Sequence, residues 1–308
     1  MRRMTLCLLL GAFLPLGLLS ADATGQPSVK TIRANSVELH YVESGSGVPV
    51  IFIHGGLEDY RAWDDQVGAF SQRYRAIAYS RRYNYPNSGR AFGNNYSAAV
   101  DADDLAALIK GLGLPPAHLV GASYGAYVAL LLAAKHPELV RSLVLAEPPL
   151  LGWLKEIEGG KPLFLEFMRV VWEPATRGFR KGDLAGVTAA INGFGELGYS
   201  GTDQKMTFAT LPPEFQSVVL QNAPEWKALT LSRNAFPPLP FAAVTQIDTP
   251  TLLLSGQRSL ELAHAIDGKL VGLLPHGQRI ILADATHEMW NEFPEECRNA
   301  AIAFIDLH

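Results

Sequence analysis

Three observations predict an α/β fold: a mostly parallel sheet covered by helices, with a helical cap inserted late in the chain. Short apolar runs that read as buried strands alternate with helical stretches from residue 48 to 146 and again from 251 to 306. The alternation breaks over residues 151–247, where helical patches, recurrent prolines and clustered glycines replace it. A G-x-S-x-G pentapeptide, Gly121-Ala122-Ser123-Tyr124-Gly125, stands between a strand pattern and a helix rich in Ala and Leu.

Residues 1–23 read as an address rather than as fold. Arg2 and Arg3 form a basic region, residues 5–19 an apolar core interrupted by Pro15, and Ala21-Asp22-Ala23 an A-x-A cleavage site. The expectation is a cleaved signal peptide and a secreted or periplasmic protein, with Sec and twin-arginine export both open. No later run has transmembrane length, so no stable membrane association is expected after cleavage.

The elements follow in order. Val29–Arg33 and Val37–Val42 alternate and predict a hairpin around Ala34-Asn35. Val48–Ile53 is continuously apolar, as a strand buried on both faces requires, and ends in His54-Gly55-Gly56. Residues 58–72 are mixed and read as helical. Arg75–Tyr79 is a second buried strand, followed by a polar loop through Arg90. Asn95–Leu112 has helical spacing and stops at Gly113 and the Pro115-Pro116 pair. His118–Val120 starts the strand that runs into the pentapeptide, and Arg141–Ala146 forms the next, ending in Glu147-Pro148-Pro149. After the break come a strand at Thr251–Leu254, a helix near 260–273, a strand at Arg279–Leu282 and a helix near 294–306. The predicted organisation is therefore core over 24–150, cap over 151–247 and core again over 248–308.

Composition removes several function classes. With 48% hydrophobic residues among 308 there is ample material for a core, which excludes wholesale disorder. A net charge of −4 gives no footprint for nucleic acid. The two cysteines, Cys7 and Cys297, exclude a disulfide framework and a zinc cluster of CxxC type, and cleavage of the leader removes Cys7.

The chemistry concentrates at strand ends. A strand-to-helix turn as tight as Gly121–Gly125 exposes the Ser123 hydroxyl, a candidate nucleophile. A serine hydroxyl needs a base. His287, in the loop before the last helix, is the candidate among eight histidines. His54 is better explained as a brace of its own loop. A carboxylate must orient the imidazole. The loop after Thr251–Leu254 carries Ser259 where an aspartate is expected, which leaves Glu147, held between a strand and two prolines, with Glu261 as the alternative. Backbone N–H groups of Tyr124 and Gly56, the latter favoured over Gly55, would hold an oxyanion. The reaction needs no metal or organic cofactor.

The order Ser123, Glu147, His287, with the His-Gly-Gly loop and the pentapeptide, resembles the α/β-hydrolase superfamily over residues 29–150 and 248–308. The resemblance implies a catalytic serine hydrolase and makes residues 151–247 its cap. Epoxide hydrolases and haloalkane dehalogenases of that superfamily use an aspartate nucleophile, so Ser123 argues against both. An acid after the strand preceding the cap is a minority arrangement. It is similar to that of zearalenone-type lactonases, which pair it with a serine. The expected substrate is therefore a small-molecule ester or lactone. Trp153, Phe164, Phe167, Met168, Trp172, Phe194 and Trp226 offer a bulky, apolar lining, and Gly55, Tyr124, Trp153 and Met289 are the candidate substrate contacts. Arg81-Arg82 and Tyr83 stand at the same edge and offer either recognition of an acidic group or a salt-bridged pair. The alternatives are perhydrolysis or C–C bond hydrolysis on the same triad, or a non-catalytic binding protein on this scaffold.

Overall fold

The computed structural model describes residues 27–87, 93, 95–198 and 206–308. The expected leader, with Cys7, lies outside them. The hairpin opens the chain as β1 (Lys30–Ala34) and β2 (Val37–Ser44), with Ala34 opposite Val37. Its turn residues, Asn35 and Ser36, have φ of 44° and 64°, the left-handed pair that matches the twist of a two-residue hairpin. Then follow β3 (Pro49–Ile53), α1 (Asp64–Phe70), β4 (Arg75–Tyr79), α2 (Ala98–Gly111), β5 (Ala117–Ala122), α3 (Tyr124–Lys135) and β6 (Val140–Ala146). The helix predicted from Asn95 begins three residues later, where the backbone of Ser97 is still extended and its carbonyl accepts from Val100 and Asp101.

The sheet closes with β7 (Thr251–Gly256), α10 (Glu261–Leu273), β8 (Gly277–Leu282), α11 (Met289–Glu292) and α12 (Pro294–Ile305). Between β6 and β7 lies the cap, with α4 (Gly160–Phe167), α5 (Glu173–Phe179), α6 (Asp183–Glu196), α7 (Pro213–Gln221), α8 (Ala223–Leu231) and α9 (Phe241–Val244), and no strand among the described residues. A π-helical turn, Met168–Trp172, joins α4 to α5 without a break. No described helix is long and apolar enough to cross a membrane.

The eight strands run in the order β1-β2-β4-β3-β5-β6-β7-β8. β1 and β2 are antiparallel at one edge, and the other strands are parallel. Alternation sends Ile51 and Ile53 into one core and Val50 and Phe52 into the other, so β3 is buried on both faces. Phe52 packs on Trp63 and Phe70, with ring centroids 5.1 and 5.0 Å away. The strand RIIL differs from a fully buried one. As the sheet edge it leaves Ile280 and Ile281 exposed. Chain direction delivers the ends of β3, β4, β5, β6, β7 and β8 to one rim, where open α/β sheets bind ligands.

Candidate active site

Ser123 sits between β5 and α3 with φ 48° and ψ −119°, a region that a non-glycine residue occupies only when its surroundings force it. Its N–H donates to Ala146 O at 2.7 Å, tying the turn to β6. The crowding that forces the turn is visible at Gly125. A Cβ there would lie 2.1 Å from Ile53 O and 2.5 Å from His54 O. The elbow and the loop after β3 are thus in backbone contact, which only glycine permits.

Glu147 directly follows β6, has φ 47° and is buried. Its carboxylate is held by three donors. Gly256 N–H donates to Oε1 at 2.8 Å, Ser259 Oγ to Oε2 at 2.5 Å, and His287 Nδ1 to the same Oε2 at 2.5 Å. With Nδ1 donating to a carboxylate, Nε2 is the unprotonated nitrogen and the basic one. Burial opposes the imidazolium form of His287. The hydrogen bond and charge of Glu147 outweigh it and hold the pKa above the usual value. The His287 loop is fixed by its neighbours: Thr286 donates twice to Glu292, at 2.8 and 2.9 Å, and accepts from Glu288 N–H at 3.1 Å. Glu261 is exposed on the first turn of α10.

A second carboxyl lies behind this pair. Asp267 on α10 accepts from Ser255 Oγ at 2.6 Å, and Arg279 Nε donates to that same hydroxyl at 2.8 Å. Burial, then the charge of Glu147, pushes the Asp267 carboxyl up to about 7.

The loop after β3 is as strongly held. His54 is buried, and its Nε2 accepts from Arg81 N–H at 3.2 Å, so Nδ1 carries the proton and donates to Gly55 O at 2.8 Å. Burial, with Arg81 nearby, puts its pKa well below the ordinary value, so it braces the loop as a neutral ring. Glu58 accepts from Gly55 N–H at 2.8 Å, and Glu225 of α8 accepts from Leu57 N–H at 2.9 Å. Gly56 N–H has no acceptor among the described residues. Glu58 lies close to the nucleophile: a Cβ on Gly55 would be 2.9 Å from Glu58 Oε2 and 3.6 Å from Ser123 Cβ. Burial, then the charge of Glu288, pushes the Glu58 carboxyl up to about 8.

Arg81 and Arg82 form salt bridges. Arg81 is fully buried, 2.6 Å from Glu225 and 3.6 Å from Asp101, and Arg82 pairs with Asp104 at 2.6 Å. Neither forms an ion pair with Glu147.

The candidate contacts divide. Tyr124 is buried beside Ser123, its ring 4.6 Å below the Arg81 guanidinium and 5.8 Å from Phe236. Trp153 instead donates its indole N–H to Leu239 O at 2.6 Å and packs on Phe241. Met289 lies in the core on the opposite face of the sheet from Tyr124, and its carbonyl accepts from Cys297 Sγ. Both are packing residues in this structure, and Gly55 N–H is already taken by Glu58. The cap aromatics Phe167, Trp172, Phe194 and Trp226 form one cluster with Phe236. Phe164 stands apart beneath Lys155, 4.3 Å away, and Met168 is half-buried against the core. Sequence reasoning did not single out Glu58, Glu225, Asp267 or Phe236. The spacing of Glu58, three residues after Gly55, was the one local signal available.

No described group of three or more His, Cys, Asp or Glu is arranged to hold a metal ion. A strained serine, a histidine paired with a buried carboxylate and an unengaged backbone N–H are the parts of an acyl-transfer site.

The family model for the alpha/beta hydrolase fold matches residues 48–190. Epoxide hydrolase 1 of Caenorhabditis elegans is 34% identical over 121 residues, 38% of this chain and 30% of that protein. The 2-(acetamidomethylene)succinate hydrolase of Mesorhizobium japonicum is 28% identical over 289 residues, 90% of this chain and 95% of that protein. The structure of an N-acyl homoserine lactone degrading enzyme superposes with a TM-score of 0.69 at 22% identity, covering 89% of this chain and all of that one. With the sheet order, the elbow and the strand-end site already described, these similarities show that the chain has the α/β-hydrolase fold.

Proposed function

We propose that this hydrolase is an exported serine esterase or lactonase acting on a bulky, mostly apolar small molecule through Ser123, His287 and Glu147. One observation carries the reading: the buried carboxylate of Glu147 lies 2.5 Å from His287 Nδ1, which leaves Nε2 as the base. His287 Nε2 takes the Ser123 proton as Oγ attacks the carbonyl carbon. The N–H groups of Gly56 and Tyr124 receive the oxyanion. The C–O bond to the alcohol breaks, and His287 returns the proton to the leaving oxygen. Water, deprotonated by His287, then releases the acid and restores Ser123. Glu147 keeps the imidazole oriented throughout. The relatives that are epoxide hydrolases do not carry their activity across. Ser123 favours acyl transfer, because the aspartate of the epoxide hydrolases attacks an alkyl carbon and leaves an ester for water to open.

Labelling with a fluorophosphonate probe tests the reading. Wild-type protein should label and Ser123→Ala should not, and the labelled protein should hydrolyse aryl esters or lactones. Folded wild-type protein that neither labels nor hydrolyses them would overturn it. Peracid or ketone products in place of acid and alcohol would move the assignment to perhydrolysis or C–C cleavage.

A further inference from the structure

Two carboxylates bracket one backbone N–H. Glu58, within the loop, accepts from Gly55 N–H, and Glu225, from the cap, accepts from Leu57 N–H across 168 residues of sequence. Gly56 N–H, between them, has no acceptor among the described residues. The two peptide groups flanking Gly56 are both tied to α8. Glu225 Oε2 holds Leu57 N–H directly, and also accepts from Asn84 Nδ2 at 3.0 Å. Glu225 Oε1 lies 2.6 Å from Arg81 Nη1, and Arg81 Nη2 donates to Gly55 O at 2.7 Å. All three side chains are buried.

Leu57 has φ 61°, a left-handed conformation that a leucine resists and that a loop adopts only when something holds it. The Glu225 bond falls on this residue. Trp226, next on α8, closes the loop from above. A Cβ on Gly56 would be 2.7 Å from its Nε1, so the peptide that offers the N–H lies directly under the cap helix.

We propose that Glu225 is a positioning residue, and that cap helix α8, through Glu225 and Arg81, sets the orientation of the Gly56 N–H that receives the oxyanion. The proposal rests on the serine-hydrolase reading. It makes the cap part of the machinery that stabilises the tetrahedral intermediate, in addition to any part in substrate binding. Removing an oxyanion donor outright lowers turnover by about a hundredfold to a thousandfold. Releasing one to a wider range of orientations should have a smaller effect, roughly tenfold to a hundredfold.

The test is Glu225→Gln in the full chain, with rates on an aryl ester expressed per site titrated by the fluorophosphonate. Glutamine retains the shape and loses the ion pair with Arg81. The expected result is a per-site kcat lower by tenfold or more, KM within about twofold, and an unmoved acid limb in the pH profile of kcat/KM. Inhibition by phenylboronic acid, whose serine adduct places an oxygen in the same hole, should weaken by a similar factor. A merely structural role would lower the titrated fraction and leave the per-site kcat unchanged, and that result overturns the proposal. So does a change confined to KM.

If Glu225→Gln does not fold, the double variant Arg81→Met/Glu225→Leu replaces the buried pair by apolar groups, which cores tolerate. Asp101 retains its hydrogen bond from Tyr96 Oη, at 2.8 Å. The same loss of per-site kcat is expected, and a wild-type kcat would overturn the proposal. Activity in Ser123→Ala would overturn the serine-hydrolase reading itself. An inactive Ser123→Ala beside a normal Glu225→Gln overturns the positioning role alone.

Discussion

Ser259, in the loop after β7, donates its hydroxyl to Glu147 Oε2 at 2.5 Å, the same oxygen that meets His287 Nδ1. The loop that would carry an aspartate thus still reaches the Glu147–His287 pair, but as a donor to a carboxylate supplied by the neighbouring strand. If Glu147 orients His287, Glu147→Gln should lower kcat by about four orders of magnitude, as loss of the orienting carboxylate does elsewhere. Ser259→Asp alone should also impair turnover, because it sets a second carboxylate against the first. In Glu147→Gln/Ser259→Asp the carboxylate returns from the other strand, and at least tenfold of the lost activity should return. Steady-state kinetics on one aryl ester check all three. A near-normal Glu147→Gln would remove Glu147 from the triad.

If His287 is the base, its pKa sets the acid limb of the rate. Its base form would then be the active one, and its pKa is held above the usual value despite burial. The limb in kcat/KM should therefore lie above that of an unperturbed histidine, and should move to lower pH in Glu147→Gln. The sign for stability is opposite to that for activity. A raised folded-state pKa means the pair stabilises the fold below the unfolded value and loses that contribution as pH rises through the folded one. Wild type should exceed Glu147→Gln in Tm by more at pH 5 than at pH 9. An equal difference at both would remove the ion pair from the account.

Glu58 predicts an alkaline limb. Its carboxyl, pushed up to about 8 by burial and then by Glu288, would place negative charge beside the forming oxyanion once ionised. Turnover should fall as pH passes about 8, and Glu58→Gln, which still accepts from Gly55 N–H through its amide oxygen, should remove that fall. An acid whose folded pKa is raised loses stability as pH climbs from its unfolded value to its folded one. The Tm of Glu58→Gln should accordingly gain on wild type between pH 5 and pH 9. A rate profile with the same alkaline limb in both proteins would assign that limb to another group.

Some of this was legible in the sequence and some was not, for physical reasons. VPVIFI, RAIAY and TLLL are continuous apolar runs because parallel strands covered on both faces have no wet side. Ser123, Glu147 and His287 stood out as candidates because each follows a strand, and chain direction takes β5, β6 and β8 to the same rim. Glu225 carries no such mark. Its partner Leu57 is 168 residues away, and nothing local distinguishes it from a solvated cap glutamate. Met289 shows the opposite failure. Two residues after His287, it begins α11 with its side chain among the core residues of the other sheet face. Nearness in sequence says nothing about which side of a helix faces the site.

The aromatic cluster makes the last prediction. Phe236 lies 5.8 Å from Tyr124 and 5.4 Å from Trp172, Trp172 lies 5.9 Å from Trp226, and Trp226 lies 5.6 Å from Phe194. These rings form a continuous path from the residue after Ser123 into the cap. Trp172, Phe194 and Phe236 are half-buried and have faces left to offer. Trp172 ends the π-helical turn, a local widening of the helix that is frequent at functional sites. Ring-to-ring contact contributes about 0.5–1.5 kcal/mol beyond area burial, a factor of roughly 2 to 13 in binding. Trp172→Leu and Phe236→Leu retain apolar volume and remove the ring faces. Each should lower kcat/KM for a naphthyl or phenylacetyl ester about tenfold relative to acetate esters of the same alcohol. Trp153→Phe, which removes the indole N–H bond to Leu239, should lower Tm while leaving that ratio unchanged. Selectivity that follows Trp153 and ignores Trp172 and Phe236 would mean that the cluster only packs the cap, and that the acyl group binds elsewhere along the rim.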